Sequence, residues 1–210
     1  KKGLYMAVEA MLNKNSSPDF LNTISSDGTA LCAAASGDHV DVVKLLLTKE
    51  GIDVHLYNNM CDTPLLIAAS RKNFVIIKLL APFYNDKKYY WEMNAAFCIF
   101  YGNNFSSKHI KTIKSYPITD QSLEPALFFL DFEGIDLNYT YNNKTILMRA
   151  IDSGFLPLIE LLLSRPEYDN CLCADFNYAL SSNIISSYDL QTILLILNKV
   201  IKINNRNQIQ

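Results

Sequence analysis

Glycine and proline are scarce in this chain, at seven residues each in 210. That scarcity says nothing about chemistry by itself, and no glycine-rich loop of the kind that cradles phosphate is present. Charge of either sign is not in excess. The formal net charge is −2 and the pI about 5.9, so the broad basic surface that phosphate-backbone binding requires is missing, and no nucleic-acid partner is expected. No uninterrupted apolar run approaches the roughly 20 residues needed for a membrane-spanning helix, so no membrane insertion is expected. No secretory leader is visible at the start.

Chemistry-bearing residues are few and scattered. There are five cysteines, an odd number, at 32, 61, 98, 171 and 173. Several lie in apolar runs, where a free thiol behaves as a small hydrophobe. A disulfide framework does not fit a chain of this length, which points to a reducing, cytoplasmic compartment, with or without cytoskeletal association. Cys171-x-Cys173 supplies one short-spaced pair, whereas zinc takes four ligands, so no metal is expected. The three histidines, His39, His55 and His109, have no nucleophile or carboxylate at a spacing that signals catalysis. The acidic residues fall at turn and cap positions, with nothing pairing them for acid–base work. No catalytic residue and no cofactor are expected, and the chain reads as a non-enzyme. Lys108, Lys111 and Lys114 would line one helical face, either as a small anionic docking stripe or as a plain solvated surface.

What is present is a repeat. Thr29-Ala30-Leu31 and Thr63-Pro64-Leu65 lie 34 residues apart, and a third copy starts at Thr145-Ile146-Leu147. A small-residue helix follows each start, with Ala33-Ala34-Ala35 in the first copy and Ala68-Ala69 in the second. Then comes a polar break, Ser36-Gly37-Asp38-His39 or Ser70-Arg71-Lys72-Asn73, and a more apolar helix, Val40 to Leu47, Phe74 to Leu80 or Leu158 to Leu163. Extended stretches at Asp19–Asn22, Asp53–Leu56 and Asp136–Tyr139 introduce the copies, followed by polar turns at 25–28, Asn58-Asn59 and Asn142-Asn143. Threonine can cap the first helix, and Pro64 sits where a missing N–H costs nothing.

Asp-Gly-Thr-Ala-Leu at 27–31, Asp-His-Val-Asp-Val-Val-Lys-Leu-Leu-Leu at 38–47 and Gly-Ile-Asp-Val-His at 51–55 resemble an ankyrin repeat. The resemblance is close at 26–58, 59–80 and 132–170 and looser elsewhere. It implies an all-α solenoid of stacked helix–turn–helix units with short turn tips. The array is expected over 1–203, with a partial first repeat at 1–25, repeats at 26–58 and 59–91, a degenerate repeat with an insertion at 92–141, a repeat at 142–170, a helix pair at 171–203, and a polar tail at 204–210. The pattern departs from the family where its histidine is replaced by Cys32, Leu66 and Met148. Its inter-helix glycine is shifted at Gly37 and missing near Arg71-Lys72.

The resemblance also implies the function. Ankyrin tips and first-helix faces form a concave protein-binding surface, so a protein partner is expected. Tyrosine is a favoured interface anchor, and Tyr57, Asn58, Asn59, Tyr139, Tyr141, Asn142 and Asn143 stand at the tips. Tyr89, Tyr90 and Trp91, with Tyr84 nearby, form an aromatic group where the repeat breaks; these rings either meet a partner or cover the core. Two other roles remain open at this level: a structural component of a large multi-subunit assembly such as a cytoskeletal complex, and a regulatory segment of a longer enzyme or channel.

Overall fold

The computed structural model describes residues 2–102, 123–153 and 155–165, with isolated positions between 194 and 201. Part of the expected degenerate repeat at 92–141, the lysine stripe, His109, Cys171, Cys173 and most of the expected C-terminal helix pair lie outside the described residues. Two compact units divide the chain, Lys1–Ala96 and Phe97–Gln210. Among the described residues there is no strand, only the isolated bridge pairs Ser25–Gly28 and Tyr141–Lys144.

The first unit is a stack of helix pairs. Helix α1 spans Lys2–Lys14 and a short α2 spans Pro18–Leu21. Then come α3 (Ala30–Ser36) with α4 (Val40–Leu47), and α5 (Pro64–Ser70) with α6 (Phe74–Leu80). Two 3-10 turns, Ala81–Tyr84 and Lys87–Tyr89, lead to α7, Tyr90–Tyr101, whose opening turns close the unit.

The threonines start the thin helices. Thr29 Oγ1 accepts from the Cys32 N–H at 3.2 Å, and Thr63 Oγ1 accepts from Leu66 at 3.5 Å. Each satisfies one of the amides that a helix start leaves orphaned. Small side chains then let the first helices approach one another: Ala34, Ala35, Ala68 and Ala69 are all buried where α3 meets α5. The bulkier second helices fill the remaining space with Val43, Leu46, Ile76, Ile77 and Leu80. Cys32 and Leu66, at the family's histidine positions, are buried with them.

The α3–α4 and α5–α6 breaks each turn through a left-handed residue, and it is not the glycine. Gly37 has φ −85°, whereas Asp38 and Lys72 have φ 55° and 56°. Asp38 is held there by its partners. Its carboxylate accepts from Arg71 Nε and Nη2 at 3.2 and 3.1 Å and from Asn73 Nδ2 at 3.1 Å. One repeat's break therefore anchors the next through a charge-assisted pair. The short polar side chain of aspartate tolerates this backbone better than most.

Asn22 makes a second tie between neighbouring repeats of the first unit. Its Nδ2 donates to the Gly51 carbonyl at 2.8 Å and its Oδ1 accepts from the Asp53 N–H at 2.9 Å. Alanine at Asn22 leaves both backbone groups without this partner and is expected to cost about 1–2 kcal/mol, read as a lower urea midpoint with an unchanged slope.

The second unit carries α8 (Glu124–Leu130), α9 (Ile146–Ser153) and α10 (Leu156–Ser164). Thr145 Oγ1 accepts from the Met148 N–H at 3.2 Å, repeating the cap of the first unit. Helices α9 and α10 pack on Leu147, Ala150, Ile151, Leu158, Ile159 and Leu162, all buried.

Candidate protein-interaction surface

Each turn tip is built by short-range hydrogen bonds that fix what it presents. In the first, Ser25 and Gly28 exchange backbone hydrogen bonds at 3.0 and 3.1 Å, leaving Ser26 and Asp27 exposed. In the second, Asn58 works inward. Its Oδ1 accepts from the Met60 and Asp62 N–H groups at 2.9 and 3.0 Å, and its backbone N–H donates to the Asp62 carbonyl at 3.0 Å. Asn58 is thus the frame of the tip, while Tyr57 and Met60 stand out from it at 56% and 66% exposure. Asn59 joins the two tips, its Nδ2 donating to the Ser26 carbonyl at 2.8 Å. Two backbones tied this way display Tyr57, Met60 and the 54% exposed Ile24 from a fixed backbone, which reduces the ordering cost of binding.

The aromatic group at the repeat break divides. Tyr84 is fully buried, its hydroxyl donating to the Val54 carbonyl at 3.1 Å. Burial pushes that hydroxyl's pKa far above its ordinary value, so it remains a neutral donor. Tyr89 is half-buried and stacks on the His55 ring, with centroids 3.4 Å apart and planes within 8°. Tyr90 is half-buried at the start of α7. Trp91 alone of the group stands well out, at 48% exposure.

Below these rings lies Glu92, 3% exposed, whose Oε2 accepts from the Thr63 hydroxyl at 2.8 Å. Burial raises its pKa, with the Thr63 and Tyr84 hydrogen bonds opposing the shift. Burial likewise lowers the pKa of His55, whose Nδ1 lies 4.0 Å from Glu92 Oε1. From sequence, the acidic residues are expected at turns and caps, and His55 has no partner pattern nearby. Glu92 is instead a buried helix residue beside His55, 37 positions apart in the chain, and no local spacing signals that meeting.

In the second unit, Asn142 and Asn143 take φ 52° and 59°, the pair of left-handed residues of a tight hairpin turn, closed by Tyr141–Lys144 hydrogen bonds at 3.1 and 3.3 Å. Asparagine is among the residues that accept this backbone most readily. Both asparagines are exposed. Tyr141 is half-buried; its carbonyl accepts from Arg149 Nη2, and the guanidinium lies 5.7 Å over its ring. Tyr139 is half-buried too, its carbonyl accepting from the Cys98 thiol at 3.9 Å. Burial pushes that thiol up to about 11, so Cys98 is a packed neutral group at neutral pH.

Of the contact residues named from sequence, at the tips and in the aromatic group at the repeat break, Tyr57, Asn59, Trp91, Asn142 and Asn143 are exposed, while Asn58, Tyr89, Tyr90, Tyr139 and Tyr141 are partly buried. Met60 and Ile24 were missed. Met60 immediately follows the Asn-Asn tip, a position that offered the only available hint.

Helix pairs joined by tight left-handed breaks and linked by short tips define the class of stacked helix–turn–helix repeats. Residues 1–90 match the family model for ankyrin repeats in three copies. A curated relative is similar as well: the ankyrin repeat and KH domain-containing protein mask-1 of Caenorhabditis elegans, 33% identical over 150 residues. That match covers 64% of this chain but only 6% of the relative's length. Ankyrin repeats are a general protein-interaction module. No described helix is long and apolar enough to cross a membrane.

Proposed function

We propose that this chain is a non-catalytic scaffold that binds a protein partner through its turn tips and the adjoining first-helix face. The observation that carries the reading is the second tip. Tyr57 and Met60 project from a turn whose shape Asn58 fixes from within and whose position Asn59 ties to the tip before it. Large side chains held out on a rigid frame suit an interface anchor, because they bury much area at small entropic cost. Trp91 extends the same kind of anchor to the start of α7.

Crosslinking of the whole parent protein in native extract, read by mass spectrometry, tests the reading. The expected links to a partner run from Lys87 and Lys88, beside the exposed Trp91, and from Lys144 at the tip of the second unit. Links confined to Lys44 and Lys78, on the second helices, would oppose it. With the partner in hand, Tyr57→Ala is expected to weaken binding by about 10- to 30-fold, as loss of an anchor residue does.

A second reading is favoured by one observation, the small share of the curated relative that this chain covers. On that reading the repeats are one segment of a longer polypeptide whose activity lies elsewhere. Peptides from a further domain on the same polypeptide in the crosslinking experiment would select it.

A further inference from the structure

Where the second tip meets the opening of α7, a ring nitrogen and a carboxylate oxygen face one another at 4.0 Å without a hydrogen bond. The His55 ring is confined, stacked on Tyr89 at 3.4 Å and edge-on to Tyr84 at 4.7 Å. The Phe83 backbone hydrogen-bonds the ring, and Nδ1 is buried with no hydrogen-bond partner. With the ring neutral and its N–H on the other nitrogen, Nδ1 presents a lone pair. Opposite it, at 4.0 Å, is Oε1 of Glu92, an acceptor when ionised, on a side chain almost wholly shielded from water. The other carboxylate oxygen is already engaged by Thr63.

We propose that His55 and Glu92 take up a single proton between them on acidification and close on it as a hydrogen bond, a latch fastening residues 81–89 and the start of α7 to the second tip. The proton turns two facing acceptors into a donor and an acceptor, whichever residue holds it. It also leaves the pair with no net charge, which is less costly to bury than a lone carboxylate.

The surrounding charges favour neither partner strongly. From the tip segment, Asp53 lies beside His55 and accepts its backbone N–H at 2.9 Å. From residues 81–89, Asp86 and Lys88 act on the ring with opposite signs and are paired with each other at 3.3 Å. The Tyr84 hydroxyl donates to the Val54 carbonyl and also lies within hydrogen-bonding reach of Glu92 and Thr63, and the Cys32 thiol lies near that hydroxyl. Burial moves His55 down and Glu92 up. The two are driven toward one another, the condition under which a proton belongs to a pair and not to one residue. Tyr57 is two residues from His55 and Trp91 two from Tyr89, so the latch bears on the proposed contact residues; that consequence, unlike the latch itself, rests on the function proposed above.

The test is nuclear magnetic resonance of the full chain, following the His55 ring and the Glu92 side-chain carboxyl carbon from neutral pH to about pH 4. Both signals are expected to move with one common midpoint. In Glu92→Gln the His55 midpoint is expected to fall by about one unit or more, because burial then acts without a carboxylate to share the proton. Two separate midpoints in the wild-type protein would overturn the latch, and so would a His55 midpoint unmoved by E92Q. The wild-type titration decides the matter alone if the variant does not fold.

Discussion

Alanine at Tyr84 is expected to destabilise the first unit by about 3–5 kcal/mol, the usual cost of deleting a fully buried aromatic ring. Tyr84 has 0% exposure and sits in the 3-10 turn after α6, where the repeat pattern fails. Its ring meets His55 and Tyr89 edge-on, with centroids 4.7 and 6.0 Å away. Its hydroxyl reaches back 30 residues to the Val54 carbonyl. Without the ring a cavity opens under Tyr89, and the buried Val54 carbonyl loses its donor. Tyr84→Phe separates the two contributions. It keeps the ring and loses the hydroxyl's hydrogen bonds, to Val54 and toward Glu92, at about 1–2 kcal/mol. Urea unfolding of the three proteins measures both steps, and a loss of under about 1 kcal/mol in the alanine variant would show that this ring does not anchor the irregular segment.

Gly28→Ala is expected to cost about 2–3 kcal/mol for a reason of backbone, not of cavity. Gly28 has φ 94°, and an added Cβ would lie 2.8 Å from Asn58 Cβ, 3.0 Å from Asn58 Cα and 3.0 Å from Cys32 Cβ. Two of these neighbours belong to the next tip, so relief requires moving the tips apart and straining the Asn59–Ser26 hydrogen bond. Gly3→Ala provides the control. Nothing lies within 4 Å of its added Cβ, and stability is expected to stay within about 0.5 kcal/mol of the parent. If both substitutions prove equally mild by thermal unfolding, the close tip-to-tip approach is not maintained in solution.

The parts of this structure that were legible in the sequence are those decided locally. Thr29, Thr63 and Thr145 each cap an amide three residues on, so the motif and its consequence lie within one turn of chain. Asn142-Asn143 reads as a tight turn because asparagine accepts left-handed backbone at low cost, and both residues adopt it. Contacts across repeats were not legible. The glycine pattern drew attention to Gly37, but the left-handed position is Asp38, fixed by Arg71 and Asn73 from the following repeat. Tyr84, Tyr89 and Trp91 looked like one aromatic patch. Which ring is buried depends on Val54 and His55, about 30 residues earlier, and only packing sorts them. Asn58 looked like a displayed tip residue of the same kind as Asn59, yet its side chain is turned into its own loop by hydrogen bonds that span no more than four residues. Glu92 had no local partner to announce that it would be buried.

The most direct test of the proposed interface is a calorimetric comparison of partner binding, using the partner found by crosslinking. The triple variant Tyr57→Ala, Met60→Ala, Trp91→Ala removes the exposed anchors, and Val75→Ala with Lys78→Ala alters an exposed stretch of α6. The tip variant is expected to lose about 100-fold or more in affinity, with the α6 variant unchanged within about twofold. Full affinity in the tip variant, with binding lost in the α6 variant, would place the partner on the second helices and contradict the role proposed for the tips.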